Sequence, residues 1–294
     1  SRAATLMDAS FFRVTSISLG SGSSAPNGVN GSAGSALSSL TKATSSSNLF
    51  VGVKATGGSG STLISTTGNG VDGTTGTAIA SASNSAGTTT ADAEARGGTG
   101  SEAWDGAFGG HGGNANSNAI TTTSGDGNTA RAFSDTQGGL GGAVRNGIQS
   151  AAGHGGDADS ESSATAMGDG QVFAIDAAKG GAGGSVFTGT GSGGDGGNAS
   201  SSASGSNTGA SNVSVTAEAT GGAGGSSIGN GNKAGSGGSA SASASGISTD
   251  GNVTVTARQT GGLGGTSFDG AAGGNGADSL MNNAVSGTTA GTLT

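Results

Sequence analysis

The sequence predicts an all-β fold, a flattened parallel β-solenoid of about seven coils of ~41 residues, with glycine-rich segments of polyproline II type. Three observations carry this prediction. Paired glycines recur at a near-constant period, a segment of apolar–polar alternation precedes each pair, and a second alternating segment of small residues follows about twenty residues later.

The glycine anchors are Gly57, Gly97, Gly138, Gly180, Gly221 and Gly261, spaced 40, 41, 42, 41 and 40 residues apart. Composition alone leaves a flexible linker open, since 67 of the 294 residues are Gly, with one Trp and no Tyr. The spacing argues against a linker. A disordered chain has no reason to keep a period, whereas each coil of a solenoid buries its apolar face against its neighbours and must match them in length. An array of antiparallel hairpins is the rival architecture, but hairpins do not require equal repeat lengths.

The segments before the anchors are "LFVGVKAT", "TTADAEAR", "ARAFSDTQ", "VFAIDAAK", "VSVTAEAT" and "VTVTARQT". Positions two, four and six before the anchor are mostly Val, Ala, Ser or Thr, as in Val215, Ala217 and Ala219, with Glu94, Glu218 and Arg258 at the alternate positions. That is the period-2 pattern of a half-buried strand, and these are termed V-strands. The later segments, "TAIASASN", "NANSNAIT", "DADSESSA", "NASSSASG", "SASASASG" and "ADSLMNNA", are termed A-strands. Their alternating residues are so small that whatever packs on them must come close. Asp-Gly pairs at Asp72, Asp126, Asp169 and Asp250 are expected to supply the positive φ of tight reversals.

Runs such as "GGLGG" and "GSGGDGGN" place glycine at two of every three positions. In an extended helix of three residues per turn this creates glycine rows along which backbones can touch, so glycine acts here as a packing residue. Between the two glycine segments a bulky residue recurs, giving an expected apolar ladder of Ile64, Trp104, Val144, Phe187, Ile228 and Phe268. In the third of these units the seventh position after the anchor is Arg145, and Val144 stands one place earlier. If the ladder closes the glycine-rich edge, burying each member contributes about 1.5–3 kcal/mol.

The chain reads as a single repeat domain, residues 1–294, with a degenerate N-terminal coil and first full V-strand over 1–56, regular repeats over 57–276 and a truncated C-terminal coil over 277–294. "FFRVTSISLGSGS" matches a V-strand leading to Gly20, 37 residues before the next anchor, and Thr292, Leu293 and Thr294 match the start of another. No polar cap is evident at either end. Phe11, Phe12, Val14, Ile17 and Leu19 are therefore expected to meet Thr292, Leu293 and Thr294 of a second copy, in a head-to-tail, open-ended contact; the alternative is a fragment of a longer repeat protein, in which the same surfaces meet another coil of that chain.

Little in the sequence points to chemistry. A net charge of −8 with no Lys/Arg cluster disfavours nucleic acid and anionic membrane as partners, and no run of about 18 apolar residues suggests a membrane span. There is no Cys, hence no disulfide or thiolate metal site. The only histidines, His111 and His154, fall in one column with Asp195 and Ser236. A column on a glycine segment supplies neither an oxyanion pocket nor a substrate cleft, so no catalytic or metal residue is assigned and no enzyme is expected. It reads instead as variation at a tolerant exposed position, at which stacked histidines could take up a metal adventitiously. No cofactor is expected; calcium on the Asp-Gly turns is the one alternative, and the tandem nonapeptide of calcium-binding β-rolls is missing.

The glycine-pair units from about Val14 to Thr294 resemble, in composition and period, the PGRS glycine-rich repeats of mycobacterial surface proteins and the Ala/Ser/Thr-rich β-solenoid repeats of bacterial adhesins. The long V- and A-strands depart from PGRS. The resemblance implies an extracellular or cell-surface bacterial protein of structural or adhesive use. The expected role is a subunit of an extracellular filament or matrix fibre with itself as partner, the alternative being the repetitive stalk of a surface adhesin.

Overall fold

The computed structural model describes residues 11–17, 31–64 and 68–294, and every regular element in them is a strand. V-strands Phe11–Ile17, Asn48–Thr56, Thr88–Arg96, Ala130–Gln137, Val172–Lys179, Val213–Thr220 and Val253–Thr260 form one seven-stranded sheet in chain order. A-strands Ala36–Thr44, Gly76–Asn84, Ala115–Ser124, Ala158–Met167, Ala199–Asn207, Ala240–Ile247 and Val285–Thr288 form the second. All pairs within these two sheets are parallel, each strand bonding to its equivalents in the adjacent coils. The architecture is a parallel β-solenoid of seven coils, numbered here from the Phe11 end.

The register follows the glycine period. The residues just before the anchors pair as Thr56 with Arg96, Arg96 with Gln137, Gln137 with Lys179, Lys179 with Thr220 and Thr220 with Thr260. At the first coil the match differs from expectation. Phe11 pairs with Phe50, an offset of 39 residues rather than the 37 expected from Gly20, which lies outside the described residues.

The two sheets enclose a thin core of small side chains. Val51, Ala93, Ala132, Ala174 and Val215 of the V-strands are 0% exposed, as are Ala80, Ala119 and Ala166 of the A-strands. With Ala, Ser and Val as the usual inward residues the sheets can lie close together, and the inward Leu40 and Leu49 belong to the first two coils. The seventh A-strand departs from the pattern for this reason. It begins only at Val285, although "ADSLMNNA" precedes it. The inward column of Gly76, Ala115, Ala158, Ala199 and Ala240 would place Met281 next, a side chain far larger than the Gly and Ala that precede it. Met281 is 41% exposed instead, and the backbone turns at Asn283 with φ 50° before pairing resumes.

The glycine segments form the other half of each coil and pack as two layers without strand ladders. Bonds zigzag between them: Gly139 N–H to Gly113 O (2.8 Å), Gly156 N–H to Gly139 O (2.8 Å) and Gly181 N–H to Gly156 O (2.9 Å). Glycine is required by proximity, since a Cβ on Gly156 would lie 2.0 Å from Gly113 O. The Asp-Gly turns differ from expectation. Only Gly127 of the four has positive φ (77°), while Gly87 (92°), Gly125 (89°) and Gly168 (110°) carry other reversals. Gly73 lies inside a glycine segment, donating to His111 O.

Candidate functional site

The surfaces at the two ends of the stack were expected to be interfaces. Phe11, Phe12, Val14 and Ile17 lie on the edge strand of the V-sheet, and Leu19 lies outside the described residues. At the opposite end Thr292, Leu293 and Thr294 begin another V-strand: Val253 pairs with Leu293, and Val253 N–H and Val255 N–H donate to Thr292 O (2.8 Å) and Thr294 O (3.0 Å). Coverage stops there. Val215 and Ala217 are 0% exposed in coil 6, but their coil 7 partners Val255 and Ala257 are only half-buried, because no coil lies over them. Among the described residues, then, the stack carries inward side chains at that end without a cover.

The histidine column is present and has a structural role that the sequence reading missed. His154 N–H donates to His111 Nδ1 (3.0 Å), Asp195 N–H to His154 Nδ1 (2.9 Å), Ser236 N–H to Asp195 Oδ1 (2.7 Å) and His111 N–H to Asp72 Oδ1 (2.7 Å). Each side chain caps the amide of the next coil. The other two amides of each glycine turn are also satisfied, Gly155 N–H by Asp195 O above (2.8 Å) and Gly156 N–H by the opposite layer. A three-residue period therefore gives each N–H its own direction, and the exposed polar residue stands in for a missing carbonyl. A parallel column repeats this at Asn114, Asp157 and Asn198, whose side-chain oxygens accept from Asp157, Asn198 and Ser239 N–H. The column is thus more than tolerant variation.

The imidazoles of His111 and His154 stack with centroids 4.9 Å apart. Because Nδ1 accepts in both, Nε2 carries the proton in the neutral ring, so a metal at Nε2 would cost the amide bond. The Asp carboxylates of the turns are engaged likewise, Asp126 Oδ1 accepting from Asp169 N–H (3.1 Å) and Asp169 Oδ1 from Ala210 N–H (3.0 Å). Among the described residues no group of three or more His, Cys, Asp or Glu side chains converges.

The apolar ladder is displaced from the expected set at one rung. Ile64 pairs with Trp104, Trp104 with Arg145, and Ile228 with Phe268. Val144 pairs with Ala103 and Val186 in the column behind, 0% exposed, in a small cluster with Ala107 and Ala152. Arg145 takes the outer position, its guanidinium 5.8 Å from the Trp104 ring centre and 4.7 Å from that of Phe187, and it also bonds Glu102. The outer residues do not close the edge by burial: Trp104 is 39%, Phe187 52% and Phe268 55% exposed. Closure comes from the Val144 column, and the full burial energy expected of the outer ladder does not apply.

Among the described residues one acidic group is deeply buried, and the sequence reading did not single it out. Asp176 lies four residues before Gly180, an inward position, and is 0% exposed between the sheets. Burial pushes its carboxyl up to about 7, against the lowering effect of hydroxyls from Ser201 and Ser160. Its parity with Ala174 and Ala178 was visible in the sequence.

No protein-family model matches this chain, and no curated protein does. Among solved structures it is similar to a springtail antifreeze protein from Granisotoma rainieri, a bundle of nine polyproline type II helices, at 19% identity and a TM-score of 0.16, over 78% of this chain and 96% of that one.

Proposed function

We propose that this chain is a structural subunit of an extracellular filament or matrix fibre, assembling head to tail by stacking coil on coil. The observation that carries the reading is in-register parallel stacking, each V-strand pairing with its equivalent in the next coil. A further parallel coil over Val253–Thr260 would bury Val255 and Ala257 and pair the remaining amides, as every interior coil does for its neighbour. The edge strand Phe11–Ile17 offers the complementary surface of a second copy. The repetitive stalk of a surface adhesin is the second reading; it uses the same coil-on-coil packing inside a longer chain. Its support is the exposed Trp104, Phe187 and Phe268 edge, the type of surface that engages another molecule.

Negative-stain electron microscopy of the purified chain tests the choice. Filaments are expected, and deletion of residues 1–19 is expected to abolish them. Wild-type particles that stay single at high concentration, or filaments unaffected by the deletion, would overturn head-to-tail assembly.

A further inference from the structure

The inward columns opposite each other at the height of Asp176 are unlike the rest of the core. On the V-sheet the column runs Val53, Ala93, Ser134, Asp176, Ala217, Ala257. On the A-sheet it runs Ser38, Ala78, Ser117, Ser160, Ser201, Ala242. Polar side chains thus cluster in coils 3 to 5, between alanines above and below. Ser117, Ser134, Ser160, Ser201 and Asp176 are all at most 5% exposed.

The hydrogen bonds in this island form one connected network, in which Ser117 Oγ also lies 3.2 Å from Ser160 Oγ and the Ser202 backbone N–H bonds the Asp176 carboxyl. Ser160 Oγ lies 3.1 Å from Asp176 Oδ2 and 3.0 Å from Ser134 Oγ; Ser134 Oγ lies 2.6 Å from Ser117 Oγ. Ser117 Oγ meets Thr136 Oγ1, which donates to Asp159 O at 3.3 Å. Ser201 Oγ donates to Asp176 Oδ1. A serine has one proton to give. If the carboxyl is protonated, Asp176 donates to Ser160, Ser160 to Ser134, Ser134 to Ser117, Ser117 to Thr136 and Thr136 to the Asp159 carbonyl; if it is ionised, Ser160 donates to Asp176 and the other hydroxyls reverse behind it. Both directions use every hydroxyl proton, so the state of Asp176 is decided by the cost of a buried charge.

We infer that Asp176 is held as the neutral acid at the head of this hydroxyl network and works as a proton-dependent clamp between the two sheets, released as pH rises to neutrality. No cation faces it. The charged residues on the strands packed around it, Arg131, Asp135, Asp159, Glu161, Lys179 and Glu218, lie at outward positions of the alternation. An ionised Asp176 would therefore be a buried charge without a counter-ion. Its upward shift to about 7 has burial as its chief cause and agrees with the geometry.

The sign follows from linkage. The folded chain holds this proton more tightly than the unfolded chain, whose carboxyl titrates near 3.8. Stability is fully present below that value, falls as pH rises towards 7, and levels off above it. Each pH unit across the window is worth about a factor of ten in the folding equilibrium, so the loss is roughly a thousand-fold.

The test compares wild type with Asp176→Asn, whose amide can both donate to Ser160 and accept from Ser201 without titrating. The difference in thermal midpoint should grow in favour of Asp176→Asn from pH 4 to pH 8. Infrared titration of the wild type should show a protonated carboxylic carbonyl band that persists at pH 6, where ordinary carboxyls are ionised, and is lost by pH 9; this reading does not depend on the variant folding. Parallel midpoints for the two proteins across the range, or no such band at pH 6, would overturn the clamp.

Discussion

Replacing Gly222 by Ala tests the packing role of glycine. The added Cβ would stand 1.9 Å from Gly181 O and 2.7 Å from Gly181 C, both backbone atoms of the coil below. That is about 1 Å inside any tolerable contact, and no side chain can turn aside to relieve it. The coils must part locally, which breaks the bonds from Gly222 N–H to Gly197 O and from Gly238 N–H to Gly222 O, each 2.8 Å. Two buried bonds lost at about 1–3 kcal/mol each, with about 1–3 kcal/mol of overpacking, outweigh the gain of up to about 1 kcal/mol from a stiffer unfolded chain. The net loss is about 5 kcal/mol, comparable with the whole stability of many domains. Gly273→Ala is the control, because its Cβ would meet nothing closer than Ser267 Oγ at 4.0 Å. Urea denaturation followed by circular dichroism should place Gly222→Ala far below Gly273→Ala and leave the latter near wild type. Equal midpoints would refute the close-packing argument.

Other substitutions separate buried from exposed polar contacts. Asn207 is 3% exposed, its Nδ2 donating to Gly170 O (2.8 Å) and Ser211 O (2.7 Å) and its Oδ1 accepting from Gly209 N–H (2.8 Å), so Asn207→Ala should cost about 2–3 kcal/mol in chemical denaturation. His111→Ala also orphans an amide, that of His154, but in an exposed setting where water replaces the ring; a loss under about 1 kcal/mol is expected in the same assay. Trp104 is the chain's single Trp, so its fluorescence reports on Arg145 directly. Arg145→Gln should alter the emission and cost about 0.5–1 kcal/mol, and unchanged emission would argue against the Trp104–Arg145 contact.

The repeat was legible because stacking ties chain length to geometry. The spacing of the anchors from Gly57 to Gly261 is the pairing offset of the V-strands, as Arg96 with Gln137 and Gln137 with Lys179 show. Glycine rows at a period of three signalled backbone contact. The amide-capping role of His111 and His154 was not legible, since it depends on where each N–H of the glycine helix points, and that is set by the neighbouring coil. Val144 was misplaced because size was weighed above parity: one residue's shift moves a side chain from the outer column to the inner one. At Met281 the opposite lesson holds, as parity alone suggested a strand, yet the side chain is far larger than the Gly and Ala of its column. Asp176 stands at an inward position by the same count that placed Ala174, but its meaning emerged only with Ser117, Ser134, Ser160 and Ser201 gathered around it from three coils.

In-register stacking can be measured by engineered disulfides, for which the chain offers a clean background because it has no Cys. Ser202 and Ser243 are register partners on adjacent A-strands with Oγ atoms 3.4 Å apart, whereas Ser202 and Ser245 are two residues out of step. Mild oxidation of the Ser202→Cys/Ser243→Cys chain should form the intramolecular bridge rapidly and leave stability intact, while Ser202→Cys/Ser245→Cys should stay largely reduced. Equal bridging of both pairs, or preference for the second, would contradict the stacked register.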